Sequence, residues 1–125
     1  MANVDKLGRV IVPVSDQDAA ISFYTEKLGF TVSTDVPYGE GDRWVEVAPP
    51  GGGSGIALTT GMGEFQPGRE TGIALTTSDA RADHDELKAH GVEVEEPMGG
   101  DGTVPLLFMF KDADGNGLMI VEEQS

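Results

Sequence analysis

The chain has 125 residues, no cysteine and a formal net charge of −14 at pH 7. At this length one domain, or two small halves that share a core, can bury enough apolar surface to fold without disulfides. The lack of cysteine excludes disulfides and thiolate metal sites, and the negative charge disfavours nucleic acid because phosphate backbones are repelled. There is no signal-peptide pattern and no apolar run of membrane-spanning length, which predicts a cytoplasmic protein without a membrane partner.

The first half of the chain predicts one strand, one helix and three further strands. Residues 9–14 (RVIVPV) read as a strand, and Ser15 or Asp16 can cap the helix that follows. Gly29 ends that helix in a left-handed conformation. The later strands, separated by Gly- and Pro-rich turns, are expected at about 30–36, 43–48 and 55–60.

The second half repeats this order of elements. GIALTTSD (72–79) aligns with RVIVPVSD (9–16) at an offset of 63 (79 − 16), and a helical pattern follows each copy. The second helix begins at Ser78 or Asp79 and ends at Gly91. Its later strands are expected at about 92–95, 104–111 and 118–122. The predicted organisation is module one over 1–62, a linker over 61–69 and module two over 70–125.

Five short motifs follow one another along almost the whole chain. They are Ser15-Asp16, Phe23-Tyr24, Leu28-Gly29-Phe30, RWVEVAPPG (43–51) and the turn DADGN (112–116). Their order and spacing resemble the vicinal oxygen chelate superfamily, which includes glyoxalase I, extradiol dioxygenases, and fosfomycin- and bleomycin-resistance proteins. The resemblance implies an α+β fold in which two βαβββ modules form a curled mixed sheet around a cavity, as a single domain over 1–125. It also implies a homodimer.

The resemblance further implies where a metal ion would be held. In metal-dependent members, four inward-pointing side chains bind one divalent ion, which polarises two neighbouring substrate oxygens. These four positions fall on Arg9, Ala57, Gly72 and Met119. A guanidinium, a methyl group, a hydrogen and a thioether do not hold a hard divalent cation. We therefore expect no metal site and no cofactor.

Strand alternation assigns a set of side chains to the predicted cavity. Trp44 would form an aromatic wall, small residues would leave space, and Arg9 and Glu46 would contribute opposite charges. Apolar walls with few polar anchors are typical of a small-molecule site. The predicted ligand-binding residues are Arg9, Ile11, Trp44, Glu46, Ala57, Thr59, Gly72, Ala74, Met119 and Val121.

The roles of Glu46 and Trp44 have several interpretations. Glu46 forms a structural ion pair with Arg9, anchors a ligand amine, acts as a candidate general base with Arg9 as the candidate oxyanion partner, or lies exposed near a sheet edge. Trp44 either stacks on a planar or cationic ligand or is the largest residue of the core. The sequence leaves these alternatives open.

The second helix carries both histidines of the chain, His84 and His90. Six positions apart, they point in different directions and do not form a ligand pair, so we expect His84 to pack against the sheet and His90 to lie in the last turn. In the strand 104–111, alternation does not decide which set faces the cavity. The two sets are Leu107 with Met109 and Phe108 with Phe110.

Two Gly-rich segments, 61–67 and 95–102, are candidate lids over the cavity. Met62, Phe65 and Met98 could cover an apolar ligand. Ordinary loops are the alternative interpretation.

Together these features predict a metal-free protein of the glyoxalase/bleomycin-resistance type that binds a small organic molecule, cationic or aromatic, in a groove between the modules. The alternative is a lyase, isomerase or dioxygenase that acts without metal or with an atypical metal site, so catalysis stays an open question. A third possibility is a closed cavity and a protein that acts through its surface.

Overall fold

The computed structural model describes residues 1–60 and 65–123. The chain divides into two compact units, Met1–Gln66 and Pro67–Ser125. Each unit contains one sheet and one helix, which makes the fold α+β as predicted. Within the described residues, no helix has the length and apolar character needed to cross a bilayer.

The first unit contains a four-stranded sheet with the strand order β1-β4-β3-β2. Its elements are β1 (Arg9–Pro13), α1 (Gln17–Ser22), β2 (Thr31–Tyr38), β3 (Asp42–Ala48) and β4 (Gly55–Thr59). Strand β1 runs parallel to β4, and the other pairs are antiparallel. The carboxylate of Asp16 accepts the Ala19 amide and so caps α1, and the helix continues as a π-helical turn over Phe23–Lys27. The chain then turns at Gly29, where φ is +75° as expected.

The core of the first unit lies on one face of this sheet. Val12, Val45, Val47 and Leu58 are fully buried on β1, β3 and β4, and Tyr24 from the helical segment is buried with them. Alternation along each strand therefore leaves the other face to Arg9, Glu46 and their neighbours. We call this face, which carries Arg9, Ile11, Trp44, Glu46, Ala57 and Thr59, the site face.

An ion cluster fixes α1 and β2 to the start of β3. Arg43 donates to Asp18 of α1 and Asp35 of β2, each at 2.8 Å. The hydrogen bond from Arg43 lowers the pKa of Asp35 below its ordinary value, and the hydrogen bonds from Asp35 and Asp18 raise the pKa of Arg43. The cluster lies directly before Trp44 and thus helps to position the site face.

The second unit contains a three-stranded sheet with the order β5-β7-β6. Its elements are β5 (Glu70–Thr77), α2 (Ala80–Ala89), β6 (Leu107–Lys111) and β7 (Gly117–Glu122). Strand β5 is parallel to β7, which is antiparallel to β6. The Asp79 carboxylate caps α2 through the Ala82 amide. The buried core residues on β6 and β7 are Phe108, Phe110, Leu118 and Ile120, and those on α2 are Ala80, His84 and Leu87.

The predicted strand at 92–95 is wrong. This segment makes only isolated bridges, Val94 with Phe110 and Met98 with Leu107. Pro97 has no amide hydrogen to donate, and the glycines at 99, 100 and 102 weaken a strand, so a continuous ladder does not form. For the same reason β6 begins at Leu107 rather than at 104.

The turn between β6 and β7 is held by two buried polar side chains. Asp112 accepts hydrogen bonds from the amides of Asp114 and Asn116 and from Asn116 Nδ2, at 2.9–3.0 Å. Asn116 is fully buried, and its Oδ1 accepts the Gly68 amide at 2.8 Å. The turn therefore fixes the start of the second unit as well as the hairpin.

We predict that Asn116→Ala lowers the free energy of unfolding by about 2 kcal/mol or more, because it leaves the Gly68 amide without its acceptor and removes the Nδ2 donor from the Asp112 carboxylate. Urea denaturation measures the loss. Asn3→Ala, at an exposed position, is the control and should change stability by less than about 0.5 kcal/mol. Equal effects of the two substitutions would contradict the role given to the turn.

Candidate ligand-binding site on the first sheet

The site face is built from cross-strand neighbours on all four strands of the first unit. Ile11 pairs with Ala57, Ala57 with Glu46, and Glu46 with Thr34, so these residues form one row across the sheet. The next row contains Pro13, Thr59, Trp44 and Val36. Arg9 pairs with Gly55 on the opposite side of the first row. Six predicted site residues thus share this face: Arg9, Ile11, Trp44, Glu46, Ala57 and Thr59.

Glu46 joins Arg9 and Trp44 through one oxygen atom. Its Oε2 accepts a hydrogen bond from Arg9 Nε at 2.9 Å and another from Trp44 Nε1 at 2.6 Å. The side chain of Glu46 is 14% exposed and that of Arg9 is 50% exposed. A carboxylate with two such donors is satisfied despite its burial. The ion pair with Arg9, one of the alternatives left open by the sequence, is therefore present, and Glu46 is not exposed.

Small residues on β4 give this pair its space. Gly55 lies beside Arg9, and Ala57 lies beside Glu46. A Cβ atom at Gly55 would lie 3.1 Å from the carbonyl oxygen of Val47 and 3.8 Å from Glu46 Oε1, which is tight. Arg9 and Glu46 can therefore meet diagonally across β4 because no larger side chain separates them.

Trp44 has aromatic and apolar neighbours from β2. Its ring centroid lies 6.1 Å from that of Tyr38, with 55° between the ring planes. Val36, its cross-strand partner, is 48% exposed and Tyr38 is 57% exposed. Trp44 itself is half-buried, so it is not fully enclosed, and whether it stacks on a ligand stays a prediction. The indole has a fixed hydrogen bond at one edge and an accessible surface elsewhere.

Thr59 contributes a buried hydroxyl without a partner. The residue is 5% exposed, and within the described residues its Oγ1 makes no hydrogen bond. Leu58 on β4 pairs with Val45 on the antiparallel strand β3. Thr59 follows Leu58 and Trp44 precedes Val45, so Thr59 and Trp44 are neighbours on the site face. Buried hydroxyls normally have a partner, but the Thr59 oxygen is enclosed, so a ligand group reaches it only when neighbouring side chains move aside.

Gln17 holds the backbone behind Trp44 and Thr59. Its Nε2 donates to the carbonyl oxygens of Arg43 and Leu58, at 2.9 and 2.8 Å. These are the residues that directly precede Trp44 and Thr59 in the chain. The helix therefore positions the part of the site face where the β3–β4 ladder ends.

The other four predicted site residues lie in the second unit, on the sheet face opposite α2. Ala74 pairs with Met119, and Val121 pairs with Leu107. Gly72 has φ of +75° and lies where the register between β5 and β7 shifts, a conformation that favours glycine. The cross-strand positions of this face carry apolar and small side chains: Ala74, Thr76, Leu107, Met109, Met119 and Val121. The Phe108/Phe110 set is buried on the α2 side, which resolves the alternative left open for β6.

The residues at the implied metal positions do not fit a divalent ion. Arg9 is a cation already paired with Glu46, and Ala57, Gly72 and Met119 offer no oxygen or nitrogen ligand. Across residues 1–60 and 65–123, no group of three or more His, Asp or Glu side chains could hold a metal ion. The donor set thus disagrees with the metal chemistry that the resemblance implies.

The histidines occupy the predicted positions. His84 is buried, its ring lies edge-on to Phe108 with 5.3 Å between centroids, and its Nδ1 lies 2.9 Å from Asp85 Oδ1. His90 is exposed at the end of α2, with Nδ1 2.8 Å from the carbonyl oxygen of Glu86. Both contacts are structural.

The candidate lids stay predictions. Met62 and the rest of 61–64 lie outside the described residues. Phe65 is 53% exposed and Met98 is 56% exposed.

Comparison with known proteins identifies the family. The model of the Glyoxalase/Bleomycin resistance protein/Dioxygenase superfamily matches residues 6–120, and the chain belongs to this superfamily. YetH of Bacillus subtilis (strain 168) is 33% identical over 122 residues, which cover 95% of this chain and 99% of YetH.

Solved structures confirm the glyoxalase-like fold. TnmS3, an antibiotic binding protein from Streptomyces sp. CB03234, matches with a TM-score of 0.87 and 33% identity, covering 99% of this chain and 100% of TnmS3. A superfamily member from Sphaerobacter thermophilus matches with a TM-score of 0.88 and 31% identity, covering 96% of this chain and 98% of that protein.

Sequence reasoning missed Tyr38 and Gln17. Tyr38 was missed because β2 was expected to end at 36, although Val36 and Tyr38 alternate in phase with a face that carries Trp44. Gln17 gives no sequence signal, since a polar residue in the first turn of a helix is ordinary.

We predict that Thr59→Val leaves stability unchanged or raises it by about 1 kcal/mol, because it replaces an unpartnered buried hydroxyl with a methyl group of the same shape. Thr71→Val is the matched control. Thr71 Oγ1 donates to the Gly117 carbonyl at 2.7 Å. Loss of this hydrogen bond in Thr71→Val should lower the free energy of unfolding by about 1 kcal/mol. Thermal and urea unfolding compare the two, and a clear loss of stability in Thr59→Val would show that its hydroxyl has a partner in the free protein.

Proposed function

We propose that this protein binds a small aromatic organic molecule on the site face without a metal ion. The observation that supports this most strongly is the sharing of Glu46 Oε2 by Arg9 and Trp44. That network holds a half-buried indole beside a half-exposed guanidinium, on a sheet face whose β4 residues Ala57 and Thr59 are buried. Such a combination of one aromatic wall and a few fixed polar groups is what a small-molecule site needs.

The relatives support the same class of ligand. TnmS3 is an antibiotic binding protein of similar fold and 33% identity over nearly the whole chain. We infer that the ligand of this chain is likewise a small organic compound, with an antibiotic as one possible class.

The contacts of Glu46 favour an anchoring role over the general-base role considered above. A general base needs an oxygen that is within reach of the substrate proton and is not already committed. Glu46 Oε2 is committed to Arg9 and Trp44, so Oε1 is the oxygen left to accept a proton or a ligand donor. The bonds at Oε2 account for the position of Glu46 without a reaction.

Two further expectations belong to this proposal. The protein is expected to act in the cytoplasm. It is also expected to form a homodimer, and sedimentation would test this oligomeric state.

The proposal is tested by titrating Trp44 fluorescence, which reports the site directly because the chain has a single tryptophan. After dialysis against EDTA, planar aromatic compounds should quench or shift the emission and saturate it at micromolar concentrations. A dissociation constant of about 1 µM corresponds to a binding free energy of about −8 kcal/mol. Silence across a broad aromatic library, or binding only after a divalent metal is restored, would overturn the proposal.

Variants of Trp44 separate stacking from hydrogen bonding in calorimetric titrations of the same compounds. Trp44→Phe keeps an aromatic face and should lose about fivefold in affinity with the lost Nε1 bond, whereas Trp44→Ala should lose about tenfold or more. Leu7→Ala, at a position 71% exposed outside the sheets, is the control and should bind as the unaltered chain does. Equal affinities of all three would place the ligand elsewhere.

A further inference from the structure

Arg9 has free hydrogen-bond donors on the site face. Only its Nε is engaged, with Glu46 Oε2. Its two Nη groups, with four N–H bonds, make no hydrogen bond to any of the described residues, and half of the side chain is exposed. The bond at Nε fixes the plane of the guanidinium, so its far edge presents two parallel donors in a defined direction.

Such an edge fits a pair of oxygen acceptors. A carboxylate, or two oxygens at similar spacing, accepts two parallel N–H bonds from a guanidinium, and charge-assisted bonds of this kind are the strong ones. A ligand ammonium group is a poor fit at this edge of the guanidinium, because it would lie against the positive charge of Arg9. The net charge of −14 does not reverse this preference, since salt screens distant charges beyond about 8–10 Å.

The unpartnered Thr59 hydroxyl marks a second polar contact. Thr59 lies two residues from Ala57, which is the neighbour of Glu46, so the two rows are about 7 Å apart along β4. Trp44 lies in the same row as Thr59. A ring that rests on Trp44 can therefore direct one substituent to Arg9 and another to Thr59.

We propose that the ligand is an aromatic carboxylate, or an aromatic compound with an equivalent pair of oxygen acceptors, which Arg9 binds through both Nη groups while Thr59 hydrogen-bonds to a hydroxyl or carbonyl on the far side of the ring. This assignment rests on the proposed function and differs from the cationic ligand that was one alternative from the sequence. Glu46 is a positioning residue: it fixes Arg9 and Trp44.

Four naphthalene probes test the proposal by isothermal titration calorimetry: 6-hydroxy-2-naphthoate, 2-naphthoate, 2-naphthalenemethanol and 2-naphthylmethylammonium. We expect 6-hydroxy-2-naphthoate to bind about fiftyfold tighter than the ammonium compound, from about tenfold at Arg9 and about fivefold at Thr59, because it alone meets both polar contacts without repulsion. The neutral alcohol should bind with intermediate affinity. Tighter binding of the ammonium compound than of either naphthoate would overturn the assignment.

Substitutions at Arg9 identify its role. Arg9→Gln should weaken both naphthoates about tenfold or more and change the alcohol by less than about threefold. Arg9→Lys keeps the charge but not the fork, so it should lose about fivefold for the naphthoates. Arg81→Gln, an exposed site on α2, removes the same charge elsewhere and is the control that should leave all affinities unchanged. Equal losses for the alcohol and the naphthoates in both Arg9 variants would show that Arg9 does not bind the carboxylate.

Thr59→Val tests the second contact, because it should reduce the affinity of 6-hydroxy-2-naphthoate about fivefold, to that of 2-naphthoate, and leave 2-naphthoate unaffected. A loss of affinity for 2-naphthoate as large as that for 6-hydroxy-2-naphthoate, or larger, would contradict the contact with Thr59. If the alcohol binds but the naphthoates gain nothing over it, the binding function stands and the carboxylate assignment fails. If none of the four probes binds while other aromatic compounds change the Trp44 emission, the carboxylate assignment fails and the binding function stands.

Discussion

The site depends on one carboxylate oxygen. Glu46 Oε2 accepts the N–H of Arg9 and the N–H of Trp44, and each of these bonds constrains the other side chain. Without Glu46, a guanidinium on a long flexible stem and a half-buried indole would each have many orientations. With it, the sheet presents a fixed aromatic surface next to a fixed cationic fork. Gly55 and Ala57, the small residues of β4 beside this pair, leave the space in which Arg9 and Glu46 meet.

The two units use the same order of strand and helix for different surfaces. In the first unit the face opposite the helix carries a charged pair and a tryptophan. In the second unit the corresponding positions of β5, β6 and β7 are apolar or small, with Met109 directly opposite Met119. Belonging to the superfamily therefore fixes the fold of both units, but the chemistry comes from a few residues that point to one side of each sheet.

Much of this could be predicted from the sequence, because local signals and tertiary structure agree. The Ser-Asp caps, the glycines after each helix and the period of two along each strand predicted most of the elements, and the opposite charges of Arg9 and Glu46 on one face made the ion pair one of the open interpretations. The segment 92–95 was mispredicted because Val92 and Val94 look like a strand, while Pro97 and the following glycines prevent a continuous ladder. Non-local contacts gave no signal in the sequence. Gln17 donates to two carbonyl groups that are 26 and 41 residues away along the chain. The lack of a hydrogen-bond partner for Thr59 among the described residues is likewise visible only in the folded structure.

The most direct test of the account is a crystal structure of the chain grown with excess Ni²⁺ and Mn²⁺, with anomalous scattering recorded for both metals. The account predicts that Arg9 Nε and Trp44 Nε1 both lie within hydrogen-bond distance of Glu46 Oε2, with no anomalous peak on the site face. A metal ion coordinated by Glu46, with Arg9 displaced from it, would contradict the account.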